Sequence, residues 1–596
     1  LKILTQNIFN NPKDLNIVKT QLIKMKFISV YLLVSFAYSG MAYGIDLRGS
    51  TNRGLIFDSK SGRPSESRPV LPDYQETKPV DFTLPAVQED KPFLSSSGAK
   101  IGLKEVRFKG NTVFSQAQLQ AICKPFIGQR VSLGDLEELR FRLTQHYNKA
   151  GYVTSGVLLV DQHISDGVVE YQIVEGSLSE IKVSGNERLN ENYIKDRLTK
   201  NLHGVLNSQQ LQQSFQQLLY DPLIDRLNGK IRPGSRPGEA ILDLEVTRAR
   251  PYDFQIVVDN HHAPSVGEYQ AVVSGTVRNL SGYGDALSLN LDVSEGGHGF
   301  GGAYSIPINA QDSRLSFYFE NSDSSVVEES LKDADIESDY STLGIGLSHP
   351  FIRQANRDLS LGLAFSWRKS RTYFLGEGTA FSAGVEADGR SSTSVIRFSQ
   401  DYVERWEKQV FAARSTFNLG INAFNSTKNS GAIADSRFFS WLGQLQYAHR
   451  LEDLVGVEGA QVIVKANVQL ANDHLLPLEQ IAIGGPDSVR GYRSNQFIRD
   501  NGFDTSIEYR HPLSGNPFNR KQNSLQLAVF VDAGSAWNKG DSRSDNLVSS
   551  AGIGVLWRYD KFHAELYWAH AFENVLTSPE YYIQDDGISF RLSADF

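Results

Sequence analysis

From about residue 251 to Phe596 the chain alternates apolar and polar residues in runs of roughly ten, a period of two that only extended strands can satisfy. Leu287, Leu289, Leu291 and Val293 alternate with Ser288, Asn290 and Asp292. Leu315, Phe317 and Phe319 alternate with Ser316, Tyr318 and Glu320, and Leu361, Leu363, Phe365 and Trp367 with Gly362, Ala364, Ser366 and Arg368. Val462, Val464, Ala466, Val468 and Leu470 repeat the pattern, as do Ile553, Val555, Trp557 and Tyr559. Clusters of Gly, Asn, Asp and Ser separate the runs. A soluble β-sandwich would alternate too. Here the apolar faces gather Phe, Tyr and Trp near strand ends, while the opposite faces carry charges and small residues. An aromatic girdle against lipid around a wet lumen has that character. At about 20 to 22 residues per strand and loop, the segment predicts about 16 antiparallel strands closed into a transmembrane barrel. The last run places Ile588, Phe590, Leu592, Ala594 and Phe596 on one face. A terminal Phe on such a strand is the insertion signal that barrels of this kind present to the barrel assembly machinery.

Mean hydropathy is only −0.31. Apart from one N-terminal stretch, no apolar run approaches the roughly 18 residues a spanning helix needs. The net charge of −8 comes without a long basic block, which argues against nucleic acid as a partner. The single cysteine, Cys123, excludes an internal disulfide and Cys-based zinc sites. Lys24-Met25-Lys26, the apolar stretch from Phe27 to Ala37, and Ala42-Tyr43-Gly44 read as a secretory signal peptide cleaved after Gly44, with a start at Met25 or at a non-Met Leu1.

Between the leader and the barrel the chain has two characters. Residues 45–99 hold six of the 20 prolines, Pro64, Pro69, Pro72, Pro79, Pro85 and Pro92, amid Ser and charged residues. They predict an extended, mobile linker. A duplication follows. Val106-Arg107-Phe108-Lys109-Gly110-Asn111 parallels Ile181-Lys182-Val183-Ser184-Gly185-Asn186, 75 residues on. The same offset carries Phe114 to Leu189, Leu119 to Ile194, Leu136 to Leu211 and Leu143 to Leu218. Apolar positions stay apolar, so 100–177 and 178–250 are two copies of one small α+β domain ordered strand, helix, helix, strand, strand. Ser132, with Asp135 three residues on, caps a helix whose core stripe is Leu136, Leu139, Leu143 and Tyr147, and Gly151 ends it.

Signs of an enzyme are missing. Gly297-His298-Gly299-Phe300-Gly301-Gly302 satisfies the dinucleotide glycine pattern, but alternating strands flank it, so it reads as a hairpin loop. His261 and His262 are adjacent and would point to opposite faces of a strand, which does not suit a metal. No serine elbow or zinc-protease helix motif is present. Neither a catalytic residue nor a cofactor is expected.

Five further motifs resemble a known family. Gly484-Gly485-Pro486-Asp487-Ser488-Val489-Arg490-Gly491-Tyr492 contains V-R-G-Y, and Phe530-Val531-Asp532-Ala533-Gly534 matches F-x-D-x-G. Gly151-Tyr152-Val153-Thr154, Gln162-x-Ile164-x-Asp166-Gly167 and Pro233-Gly234-x-x-Pro237-Gly238 look typical of the small domains that precede such barrels. Over residues 102–596 the chain resembles two-partner secretion transporters of the ShlB/FhaC/HecB type, whose superfamily also holds the barrel assembly factor BamA. The resemblance implies two periplasmic POTRA domains and a 16-stranded barrel in outer-membrane lipid. It implies a secreted partner exoprotein with an N-terminal secretion domain. It also implies that Val489, Arg490, Gly491 and Tyr492 tip a long loop folded into the lumen, facing a wall motif of Phe530, Asp532 and Gly534. Family members often carry a plug helix ahead of the linker. Residues 45–60, with Gly49 and Gly54, lack helical spacing and do not predict one.

Alternation adds its own support. Leu525, Leu527, Val529 and Val531 share one face, and Gln526, Ala528, Phe530 and Asp532 the other, so Asp532 should point into the lumen. Arg490 can then pair with it bidentately and hold the loop in its conducting position. The small domains can take up an unfolded chain at a sheet edge. Without a Walker loop or periplasmic ATP, direction would come from cargo folding outside the cell, as the resemblance implies. A barrel assembly factor is the alternative of like architecture, but such factors usually carry more than two POTRA copies. Cargo identity and resting conductance are not written in the residues.

Overall fold

The computed structural model describes residues 100–596, apart from positions 165, 203, 355, 432, 520–521, 543–545 and 576–578, together with Tyr74 and the backbone of 81–83. The leader, its cleavage point and the stretch 45–60 lie outside the described residues.

Sixteen antiparallel strands, from Tyr252–Asp259 to Ile588–Asp595, pair each with its neighbour in the chain, and the last pairs the first to close a barrel. A two-residue strand, Glu377–Gly378, only extends one hairpin. The alternating pattern sorts side chains as the pleat requires. Leu289, Leu291 and Val293 stay more than half exposed on the outer surface, and Phe317, Phe319, Ile553, Val555 and Trp557 join them. So large an apolar band is untenable in water and natural against acyl chains. Inward positions are polar and packed: Ser366, Thr393, Asn418, Gln469 and Asp532 are all buried. No helix among the described residues is long and apolar enough to cross a membrane.

Phe596 lies on the closing seam. Its N–H donates to the Phe254 carbonyl at 2.7 Å, its own carbonyl accepts from the Phe254 N–H at 3.0 Å, and the two rings lie 6.1 Å apart. The Gly-rich decoy is not a loop. It forms the start of the strand Gly297–Pro307, and the turn is just Glu295-Gly296. The correction has a steric reason: a Cβ at Gly299 would meet the Asp292 carboxylate at 2.7 Å, and one at Gly301 would meet Asn290 at 2.8 Å. Glycine here lets long polar side chains lie flat on the neighbouring strand. His261 and His262 fall in the turn after the first strand, and no cluster suited to a metal occurs among the described residues.

The two small domains precede the barrel. In the first, Glu105–Lys109, Gly156–Leu159 and Val168–Val174 form a sheet under helices Gln116–Cys123 and Leu133–Lys149. Ser132 and Asp135 form a reciprocal capping box. Leu136, Leu139, Leu143 and Tyr147 fill the core with Val169 and Tyr171. In the second, Ser177–Ser184, Ile224–Pro233 and Glu239–Arg248 pack against helices Glu191–Thr199 and Ser208–Leu219, burying Leu211, Phe215, Leu218 and Leu219. Its sheet gains a strand from the linker: Asp81–Thr83 pairs in parallel with Asn228, Gly229 and Lys230. The Pro-rich composition predicts no such element, because the hydrogen bonds are supplied by an open edge elsewhere.

Both joints are built from specific contacts. Between the small domains, Asn207 caps its helix through Gln209 and Gln210 and also donates to the Ala150 carbonyl at 3.1 Å, while the Ser208 N–H reaches Gly151. Between the second domain and the barrel, the Arg197 guanidinium lies 3.5 Å from the centre of the Tyr193 ring and 3.1 Å from Asp312. Asp312 lies in the turn before Arg314 and also bonds Arg353 at 2.7 Å. Burial alone would raise its carboxyl, but Arg314, Arg353 and Arg197 outweigh that and bring it down to about 2.

Candidate functional site

The loop between strands Gln461–Ala471 and Asn501–Ser514 does not stand away from the barrel. Ile481–Ile483 and Phe497–Arg499 pair as a short ribbon, and the tip between them folds onto the inner wall. Its apolar residues explain the direction. Val489 is fully buried and packs with Ile481, Ile483, Tyr492, Ala536 and Val548 in a small core inside the lumen.

Arg490 is the centre of this arrangement. Its Nε donates to Asp532 Oδ2 at 2.7 Å and its Nη2 to Oδ1 at 2.9 Å, the bidentate geometry that suits guanidinium and carboxylate. Its backbone N–H reaches the same carboxylate at 3.1 Å. Nη1 donates to Glu508 at 2.5 Å and Nη2 to Ser506 at 3.0 Å. The guanidinium carbon stands 3.4 Å from the centre of the Phe530 ring. Phe530 meets Tyr567 edge-on at 5.8 Å, and the Tyr567 hydroxyl bonds Glu508. Arg510 takes the other oxygen of Glu508 at 2.6 Å. Two carboxylates thus face two guanidiniums, so the buried cluster is neutral as a set.

The wall motif is a seat with three parts. Asp532 holds the charge and Phe530 the flat face. Gly534 supplies room, since a Cβ there would come within 2.8 Å of Val489 Cγ2 and 2.9 Å of the Phe503 carbonyl. Gly491 turns the tip at φ +92°. The Tyr492 hydroxyl, with one proton to give, lies 2.9 Å from the Ser549 carbonyl and 2.8 Å from the Glu573 carboxylate. Beyond it Arg493 pairs with Asp585 at 2.6 Å.

The structure therefore brings together seven of the residues singled out above: Val489, Arg490, Gly491, Tyr492, Phe530, Asp532 and Gly534. Phe596 stands apart, on the seam. Glu508, Ser506 and Tyr567 belong to the site but escape the motifs. The register of neighbouring strands, with Ser506 opposite Asp532 and Glu508 opposite Phe530, adds the first two, and the edge-on contact with Phe530 adds Tyr567.

Residues 238–557 match the haemolysin secretion/activation proteins ShlB/FhaC/HecB, and residues 101–176 match the ShlB-type POTRA domain. The heme/hemopexin transporter protein HuxB of Haemophilus influenzae is 23% identical over 82% of this chain and 83% of its own. The outer membrane transporter CdiB of Dickeya dadantii is 23% identical over 76% of this chain and 79% of its own. The solved structure of CdiB from Escherichia coli superposes with a TM-score of 0.60 at 19% identity, covering 86% of this chain and 94% of that one.

Proposed function

The chain belongs to the ShlB/FhaC/HecB family of haemolysin secretion/activation proteins, and from that premise we propose how its lumen loop governs export. The protein is an outer-membrane translocator of the two-partner secretion type, with its POTRA domains in the periplasm. In our reading the loop is a lid. Arg490 seats it on Phe530 and Asp532 and holds it in its conducting position, so export needs the seat intact. An unfolded exoprotein is taken up as an added strand at a POTRA sheet edge and passes outward beside the seated lid. Folding of the cargo outside keeps it from sliding back, so no catalytic step is assigned. The cargo is one dedicated partner with an N-terminal secretion domain.

The observation that carries the lid reading is the bidentate Arg490–Asp532 pair, which ties a loop from outside to the inner wall. The test is deletion of the gene, complemented by the wild type or by Asp532→Asn. We expect loss of one surface protein on deletion, restored by the wild type and poorly by the variant at equal barrel levels. General loss of outer-membrane barrels would instead make the protein an assembly factor. Full export by Asp532→Asn would remove the lid.

A further inference from the structure

The same loop has a second buried charge that the lid reading leaves unused. Glu479 lies near the root of the loop, ahead of the ribbon, and is 2% exposed. One guanidinium nitrogen of Arg397 reaches both of its carboxylate oxygens, at 3.0 and 2.9 Å. Thr393 donates to it at 3.2 Å, and Arg368 stands 3.6 Å away while donating to the Leu478 carbonyl at 3.2 Å. Gln469 holds the Glu479 carbonyl at 2.9 Å. These partners sit on strands Arg357–Phe374, Arg390–Arg405 and Gln461–Ala471.

Four strands separate Arg390–Arg405 from Ser524–Trp537, where the tip is seated. The loop springs from the wall between them. It is therefore held on two sides of its root, by a carboxylate it gives to one wall and a guanidinium it gives to the other. Leu475 and Leu476, next to Glu479, are buried at 1% and 0%. A buried guanidinium that loses its carboxylate is costly, so Arg397 resists release of Glu479.

We propose that Glu479 is a positioning residue that anchors the root of the lid, so that release of Arg490 swings the tip about a fixed root instead of freeing the whole loop. The two attachments share no residue. Glu479 acts through Arg490, by setting where the tip can land.

Cysteine labelling of the full-length protein in lipid vesicles tests this, with Cys123→Ser as background. Leu476→Cys reports the root and Ser488→Cys the tip. We expect Asp532→Asn to speed labelling of the tip by roughly tenfold or more and to leave the root protected, as losing one charge-assisted contact should. Glu479→Gln should speed labelling of the root to a similar degree. In cells, Glu479→Gln should lower export at normal barrel levels and Glu479→Asp should restore most of it. Root and tip rising together in Asp532→Asn would overturn the pivot. So would a root unmoved by Glu479→Gln. If Glu479→Gln does not assemble, Thr393→Val and Arg397→Gln weaken the same carboxylate from the wall side, and a root unmoved in both would overturn the anchor. The idea rests on the lid reading for its export arm only. Normal export by Asp532→Asn sinks that reading, whereas the labelling of the root answers for Glu479 alone.

Discussion

Arg490 combines three roles that no other side chain can: a fixed charge, a planar fork and a flat face. Lysine would keep the charge and lose the fork on Asp532 and the stack on Phe530. We therefore expect Arg490→Lys to export little better than Arg490→Ala, measured as secreted partner at equal barrel levels; full activity of the lysine variant would mean that charge alone suffices. Alanine leaves Asp532 uncompensated in a buried site, a loss on the order of 3 to 5 kcal/mol. Gly534→Val tests room instead of charge. Its methyls would collide with Val489 and unseat the tip, so resting conductance in planar bilayers should fall while the charged groups of the Arg490 cluster are all retained. An unchanged conductance would show that the tip adjusts. Motifs and alternation single out Arg490 and Asp532, and the structure places them in contact. Glu508 could not be found this way. A lumen carboxylate is ordinary in a wet barrel, and only strand register brings this one beneath the guanidinium. Glu479 escapes for the same reason, because its partners lie some 80 residues away on another wall.

Among the elements, the strands were the most legible, because each lipid-facing side chain answers to a period of two that solvent enforces independently of its neighbours. The helices of the small domains were legible through their stripes and caps. The linker strand was not. Asp81–Thr83 owes its hydrogen bonds to the free edge beside Asn228, a fact about a distant segment. The strand at Gly297 was misread because glycine usually breaks strands, whereas here it clears space for Asp292 and Asn290. At the joint between the small domains one side chain does two jobs, beside the Ser208 N–H on the Gly151 carbonyl. Asn207→Ala should lose both the helix cap and the bond to Ala150, about 1 to 2 kcal/mol. Proteolysis near residues 150 and 208 in the intact protein should quicken accordingly; equal rates would mean that the joint does not depend on Asn207.

For the molecule as a whole, Asp312 is one of the ties between the periplasmic arm and the barrel, beside the Asn190 N–H on the Gly282 carbonyl at 2.9 Å. The Asp312 carboxyl is depressed from 3.8 to about 2. Its contribution to the folded joint is complete above the ordinary value and disappears as pH falls through the depressed one, a contribution on the order of 2 kcal/mol. Distances between spin labels on the second POTRA domain and on the barrel rim should thus hold from neutral pH down to about 4 and spread between about 4 and 2. Asp312→Asn should show the broad distribution at every pH. A spread that begins near pH 6 would point to a different group. The Gly-rich wall has a consequence of its own. Where Asp292 and Asn290 lie flat over Gly299 and Gly301, the inner surface has little relief. A polypeptide threading along that side would find shallow polar ground and few protrusions to snag its side chains, so friction, and with it sensitivity to cargo sequence, should be least there.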